Sequence, residues 1–200
     1  MLRLGLLLLA GACACALYGQ DSKTAVTVRL DRAGAPLYVT IGGSERKIAD
    51  AAEKAWVLRN GTDVVYSGKD GAGGYDNEGQ SLYLYDTRTG NRTKLMAEYY
   101  IVDNVKETST SNGRSALIVE MLDNNIDASH VAVVDPARGE VFCEDGAKLK
   151  GMQGDMITLA FYGDDDWDNL HDNPNIAPRK TEQHDLRKLL DGPVMNNAHQ

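Results

Sequence analysis

Apolar and polar residues alternate with a period of two through much of the chain. Val26, Val28 and Leu30 fall on one side of the first predicted strand, and Leu82 and Leu84 fall on one side of a later one. Successive side chains of a β-strand point to opposite faces of the sheet, so this period is typical of strands that bury one face. The pattern therefore predicts a chain that is mostly β-structure.

An internal repeat organises these strands. Residues 81–90 (SLYLYDTRTG) align with residues 130–139 (HVAVVDPARG), and an aspartate and a glycine hold the same places in both segments. Each segment indicates a strand, a turn and the start of a second strand. We expect Asp86 and Asp135 to lie at the surface and to accept a hydrogen bond from the amide two residues on. We expect the glycine that closes each turn to have a positive φ.

The same hairpin occurs in a weaker form in residues 37–48, and each of the three hairpins is flanked by two further strands. The strands before the hairpins are residues 26–30, 63–66 and 116–121, and the candidate strands after them are residues 55–58, 99–105 and 147–152. Residues 156–162 open a fourth unit and leave it incomplete. The predicted fold class is all-β, with three four-stranded antiparallel propeller-like units, an incomplete fourth unit and a short C-terminal helix.

The two matched hairpins resemble a known type of β-structure. Residues 81–96 and 130–143 are similar to the inner hairpins of β-propeller blades of the periplasmic TolB and WD40-like type. The resemblance covers about residues 24–163 and implies a fold, not an activity, because such blades occur in binding scaffolds, in propeller domains of serine peptidases and in lyases. Propellers typically have about four to eight blades. A minimal four-bladed ring, an open stack and closure with a second copy are therefore the alternative arrangements.

The first residues are typical of a secretory signal. Residues 1–20 contain one arginine, an apolar run and an A-x-A site, which predicts cleavage after Ala16 and an extracytoplasmic protein, periplasmic or secreted. The apolar run is shorter than the ~20 residues of a transmembrane helix, so no transmembrane span is expected. An alternative is a lipid anchor at Cys13 or Cys15, because the residues before Cys13 imitate a lipobox.

The remaining chain divides into a repeat domain and a tail. Residues 21–180 are predicted to form the propeller-like domain, and residues 181–200 a helix and tail. The helix is expected to begin at Thr181 as its N-cap and to carry three leucines on one side. The formal net charge of the chain is −8. An acidic surface repels nucleic acid and favours cations, so the partner is expected to be a protein or small ligand, not nucleic acid.

Three polar loops follow the first predicted strands of their units and are the best candidates for binding. Loops at equivalent places in repeated units leave the sheets on one side, so we expect them to form one acidic face. The candidate binding residues are Asp70, Asp76, Glu78, Asp123, Asp127, Asp164, Asp166, Trp167, Asp168 and His171.

A calcium site is the alternative to solvated loops. The last loop places aspartates at residues 164, 166 and 168, as the first three positions of a calcium loop require, but the glycine of position six and the glutamate of position twelve are absent. Solvated loop residues are the favoured interpretation, and no other cofactor is expected. Tyr83, Tyr85, Tyr99 and Tyr100 are interpreted as residues that pack on a sheet face rather than as a ligand platform.

Enzymatic motifs are missing from the sequence. H-E-x-x-H, G-x-S-x-G and phosphate-loop patterns do not occur, so no catalytic residue is predicted. The predicted function is that of an exported, non-enzymatic binding module that uses the acidic loop face. Two alternatives stay open: a small extracytoplasmic hydrolase or lyase that uses carboxylates and His171, and half of a larger propeller that folds by pairing as a homo-oligomer. A close histidine–carboxylate cluster in a pocket would favour the enzyme.

Overall fold

The computed structural model describes residues 25–69, 79–97, 100–122, 129–170, 173 and 175–195. Within this part the chain forms four antiparallel sheets, numbered here in chain order. Sheet 1 contains β1 (Val26–Leu30), β2 (Ala35–Ile41) and β3 (Ser44–Ala52), and sheet 2 contains β4 (Lys54–Val57), β5 (Asp63–Gly68), β6 (Ser81–Asp86) and β7 (Arg92–Ala97). Sheet 3 contains β8 (Ile101–Ser109), β9 (Ser115–Leu122), β10 (Ser129–Asp135) and β11 (Gly139–Asp145), and sheet 4 contains β12 (Ala147–Gln153), β13 (Met156–Phe161) and β14 (Lys180–Asp185). Helix α1 (Asp164–Leu170) precedes β14, and helix α2 (Leu186–Asp191) follows it.

The all-β, propeller-like fold class is confirmed, but the grouping of strands differs by one strand. The strands predicted to close a unit, at residues 55–58, 99–105 and 147–152, open the next sheet as β4, β8 and β12. Two of the three connections, those before β4 and β12, explain this difference. Only Glu53 separates β3 from β4, and only Gly146 separates β11 from β12. A hairpin needs about two loop residues or more, so the chain crosses to the next sheet instead of turning back.

Both faces of sheets 2 and 3 are buried, each against a different neighbour. In β5, Val64 and Tyr66 pack towards sheet 1, whereas Val65 packs towards sheet 3. In β9, Leu117 packs towards sheet 2 and Ile118 towards sheet 4. Strands with two buried faces are continuous apolar runs, which is why these central strands lack the strict alternation of β1.

The outer faces of the two terminal sheets are polar. On sheet 1, Arg29 Nε lies 2.9 Å from Glu45 Oε1, and its guanidinium lies 4.1 Å from the centre of the Tyr38 ring. On sheet 4, Thr158 pairs with Gln183 on the side opposite the buried leucine and isoleucine of β13. In the described residues three hydrophobic clusters join consecutive sheets, and these polar faces end the series. The described core is therefore an open stack of four sheets, capped at both ends by polar faces.

The matched turns have the predicted local geometry. Gly90 has a φ of 74° and Gly139 a φ of 110°. Asp86 Oδ1 accepts a hydrogen bond from the Arg88 amide at 2.8 Å, and Asp135 Oδ1 accepts one from the Ala137 amide at 2.9 Å. The predicted turn chemistry is confirmed for both copies of the repeat.

The C-terminal helix begins later than the sequence predicts. Thr181, the predicted N-cap, lies in β14, which pairs with β13 along its whole length. The N-cap is Asp185, whose Oδ1 accepts a hydrogen bond from the Arg187 amide at 3.0 Å. Leu186 and Leu190 are buried between sheets 3 and 4. In the part of the chain that the structure describes, neither helix is long and apolar enough to cross a membrane.

Asp135 joins the second matched turn to α2. Its Oδ2 accepts hydrogen bonds from Arg114 Nη2 and Arg138 Nε, both at 3.0 Å, and its side chain is only 10% exposed. Both guanidinium groups also donate to the Leu190 carbonyl at the end of α2. The expectation of a surface aspartate was therefore wrong for Asp135, because two arginines from separate turns enclose it.

Candidate functional site

Hydrogen bonds between sheets 2 and 3 show that their first strands, β4 and β8, run in the same direction. Near the start of each strand, Lys54 Nζ lies 2.8 Å from Asp103 Oδ1. Near the end, the Arg59 amide donates to Glu107 Oε2 at 2.6 Å. Sheets 3 and 4 are joined where their first strands end. Ser111, in the turn after β8, donates hydrogen bonds from its amide and its hydroxyl to the Asp155 carboxylate, in the turn after β12.

This common direction places three loop attachments at one end of the stack, here called the loop end. Residues 69–80 connect β5 to β6, residues 123–128 connect β9 to β10, and residues 162–179 connect β13 to β14. In each sheet, the last residue before the connection pairs with the first strand residue after it. These pairs are Gly68 with Ser81, Leu122 with Ser129, and Phe161 with Lys180. The expectation that the three loops leave on one side therefore agrees with the strand ends.

Most of the predicted binding residues lie outside the described part of the chain. These are Asp70, Asp76, Glu78, Asp123, Asp127 and His171, together with the signal segment and its two cysteines. Asp164 and Asp168 lie in α1, where their backbone alone is described. The segment that sequence patterns indicated as a loop is therefore partly helical.

The two predicted residues whose side chains are described hold α1 in place. Asp166 Oδ2 accepts hydrogen bonds from the Gly163 amide and from Arg179 Nε, both at 3.1 Å. An acidic side chain that bonds the amide three residues before it is half of a helix capping box. The Trp167 ring meets the Tyr162 ring edge to face, with centroids 5.3 Å apart. Both side chains therefore have structural contacts at the loop end.

A histidine–carboxylate pair lies at the loop end of sheet 3. His130 is 6% exposed, and its Nδ1 lies 3.0 Å from Asp145 Oδ1. Its ring stacks on Tyr100 with centroids 3.6 Å apart. A carboxylate in this position orients the imidazole and selects its tautomer. The other nitrogen, Nε2, is buried and has no hydrogen-bond partner among the described residues.

This pair was not predicted, because Asp145 lies on β11 and meets His130 only through the pairing of β10 with β11. The sequence instead pointed to His171. In the described residues no group of three or more histidine, cysteine or carboxylate side chains is arranged to hold a metal ion. The described part of the loop end thus contains one histidine–carboxylate pair, in which the imidazole is buried and the carboxylate is exposed.

A cavity of about 250 Å³ lies between sheets 1 and 2. Tyr66 and Tyr83 occupy facing positions of β5 and β6 and line it, with their rings stacked at a centroid distance of 5.2 Å. The Arg92 guanidinium lies 4.1 Å from the centre of the Tyr83 ring. The interpretation of Tyr83 and Tyr85 as packing residues is confirmed by their burial against sheet 1, but Tyr83 also forms a wall of this cavity.

The Tyr66 hydroxyl is the unusual group of the cavity wall. Tyr66 is 1% exposed, and its hydroxyl is buried without a hydrogen-bond partner in the described chain. Burial raises the pKa of Tyr66, and the neighbouring Arg92 lowers it by a smaller amount. The hydroxyl is therefore protonated at neutral pH and can donate a hydrogen bond.

Comparisons with known proteins give structural neighbours alone. No protein-family model matches the chain, and no curated protein matches it. The β-propeller domain of the Trilobed protease from Pyrococcus furiosus superposes on 74% of this chain and 47% of its own, with a TM-score of 0.46 and 9% identity. An exo-beta-1,3-galactanase candidate from Bifidobacterium bifidum s17 superposes on 70% of this chain and 59% of its own, with a TM-score of 0.36 and 12% identity. The chain spans less than two thirds of either structure, and no residue role is transferred from them.

Proposed function

We propose that this chain is an exported, non-enzymatic binding module that presents its loop end to a divalent cation or a cationic partner. One observation carries the proposal: the strands of sheets 2, 3 and 4 bring the attachments of three acidic loops to the same end. A partner that meets this end would contact all three loops at once.

The charges of the loops support a positively charged ligand. Carboxylates that share one end of a small domain repel one another, and a bound cation relieves that repulsion. Asp166 illustrates the principle inside the chain, because Arg179 from the same connection lies 3.1 Å from its carboxylate. The inward position of His130 Nε2 supports binding over acid–base catalysis, since a catalytic base has to reach its substrate.

Calcium is expected to raise the melting temperature of the protein by a few degrees. A ligand that binds only the native state stabilises it by RT ln(1 + [L]/Kd). With a Kd of about 10⁻⁴ M, millimolar Ca²⁺ would add about 1.4 kcal/mol. Thermal unfolding of the full chain at constant ionic strength measures this shift, and titration with oligolysine tests a cationic polypeptide in the same way.

The double variant Asp123→Asn with Asp127→Asn should lose most of the shift. These two residues are chosen in place of Asp166, which caps α1. The matched control removes two carboxylates at the opposite end of the stack, Glu45→Gln with Asp191→Asn, and should keep the shift. Equal shifts in both variants, or no response to either cation, would show that the acidic loops are solvated and carry no site.

A further inference from the structure

The cavity between sheets 1 and 2 has a positive wall in an acidic protein. Arg92 and Lys69 both line it, and neither forms an ion pair with a carboxylate of the described residues. The carboxylate that lines it, Asp50, lies 2.8 Å from Lys47 Nζ, and its side chain is 92% exposed. Lys47 therefore neutralises Asp50 at the rim, and the cavity keeps two cations whose charge is not balanced within the described chain.

Arg92 carries a group that suits planar anions. Its guanidinium lies 4.1 Å from the centre of the Tyr83 ring and 6.0 Å from the centre of the Tyr66 ring. A guanidinium held against aromatic rings loses little further freedom when its N–H groups bind a ligand. Those N–H groups form a fork that matches the two oxygens of a carboxylate or phosphate.

The Tyr66 hydroxyl adds a donor that the protein itself leaves without a partner. A buried hydroxyl with no hydrogen bond costs stability, so such a group needs an explanation. The hydroxyl is closed to water in the structure, so the Tyr66 ring has to shift towards the cavity before an oxyanion bound to Arg92 can accept this hydrogen bond. Tyr66, Tyr83 and Arg92 thus combine a donor, an apolar wall and a cation around one space of about 250 Å³.

We propose that this cavity is a second binding site, distinct from the acidic side chains of the loops, for a small molecule that carries a carboxylate or phosphate group. Arg92 binds the oxyanion, Tyr66 donates a hydrogen bond to it, and Lys69 adds positive charge at the entrance. The Tyr66–Tyr83 pair contacts the apolar part of the ligand. The volume restricts the ligand to a small metabolite-sized molecule and excludes a folded partner.

Calorimetric titration of the full chain with inorganic phosphate, acetate and benzoate, at an ionic strength held constant with chloride, tests the site. We expect saturable binding of at least one of the three anions. Tight phosphate binding would identify a phosphate ligand. Benzoate binding more tightly than acetate would identify a carboxylate ligand whose ring packs on the tyrosines. If none of the three anions gives a heat of binding larger than that of chloride, the proposal is wrong and the cavity is a solvent-filled gap between the sheets.

Two variants separate a ligand site from a packing feature. Arg92→Gln should weaken anion binding about tenfold or more, because a charge-assisted fork is lost. Tyr66→Phe should weaken it several-fold, yet raise the melting temperature in anion-free buffer, because it removes a buried hydroxyl without a partner. The control Arg46→Gln removes a guanidinium that also lies between sheets 1 and 2, bonded to the Tyr85 hydroxyl, and should leave affinity unchanged.

Failure of this anion site can be distinguished from failure of the calcium site proposed for the loop end. Unchanged affinity in Arg92→Gln and Tyr66→Phe, with both variants folded, would show that the anions bind elsewhere. If Arg92→Gln does not fold, Arg92→Lys keeps the charge and loses the planar fork, and it should still bind more weakly than the natural chain. The calcium response of the loop end should be the same in all of these variants.

Discussion

Replacement of Asp135 by alanine is expected to destabilise the protein by about 3 kcal/mol and to release α2 from the sheets. Asp135 Oδ2 lies 3.0 Å from nitrogens of both Arg114 and Arg138, and its side chain is 10% exposed. Its removal leaves two guanidinium groups, each about one third exposed, facing each other without the carboxylate between them. Arg138, which donates to the Leu190 carbonyl, would lose the carboxylate that orients it, whereas Arg114 would keep its ion pair with Asp191 at 2.6 Å.

Urea unfolding followed by circular dichroism measures this loss, and Asp86→Ala is the matched control. Asp86 holds the same place in the other copy of the turn, but Arg88, which pairs with it, has a side chain that is 70% exposed. Water can replace most of that interaction, so the control should lose only about 1 kcal/mol or less. Equal losses at the two positions would show that the arginine pair around Asp135 contributes little.

The Asp135 carboxyl should also make the stability of the protein depend on pH. Burial alone raises the pKa of Asp135, but hydrogen bonds from the Ala137 amide, Arg138 and Arg114 together hold it below its ordinary value. A folded-state pKa below the unfolded one means that the stabilisation is complete above about pH 4 and is lost as the pH falls further, through the folded-state pKa. The difference in unfolding free energy between the natural chain and Asp135→Asn should therefore shrink below about pH 4.

Gly139→Val is expected to cost about 3 kcal/mol or more, from two independent causes. Gly139 has a φ of 110°, which valine adopts only with strain. A Cβ at this position would also lie 3.0 Å from the Leu95 carbonyl oxygen, a backbone atom of β7 that cannot move aside without disturbing sheet 2. The substitution would therefore strain the turn and push sheets 2 and 3 apart.

Gly90→Val separates these two causes. Gly90 has a φ of 74°, but the nearest atom to its added Cβ would be Arg46 Nη1 at 3.3 Å, the end of a flexible side chain. Only the backbone strain applies, so the expected loss is about 1–2 kcal/mol. Thermal unfolding of both variants gives the comparison. If Gly90→Val were the more damaging change, the contact between the second turn and β7 would not be important.

Local features of the fold were predictable because their causes lie within a few residues. The alternation in β1, the aspartate and glycine of the matched turns, and the apolar runs of β5 and β9 all follow from backbone geometry and burial. The equivalent places of the three loops in the repeat were also enough to predict that they leave on one side. The acidic loop residues stay predictions, because the described residues test only their attachment points.

The sequence by itself determined that the chain is all-β, that it is built from repeated hairpins, and that Gly90 and Gly139 need a positive φ. The tertiary structure decided the rest. The grouping of β4 and β12 depended on one-residue connections. The interactions of Asp135 with Arg114 and Arg138 depended on which turns meet at the end of α2. The cavity of Tyr66, Tyr83 and Arg92 exists because three strands and a neighbouring sheet bring these residues together. Periodicity specifies which face of a strand a side chain occupies, but only packing specifies what that face meets.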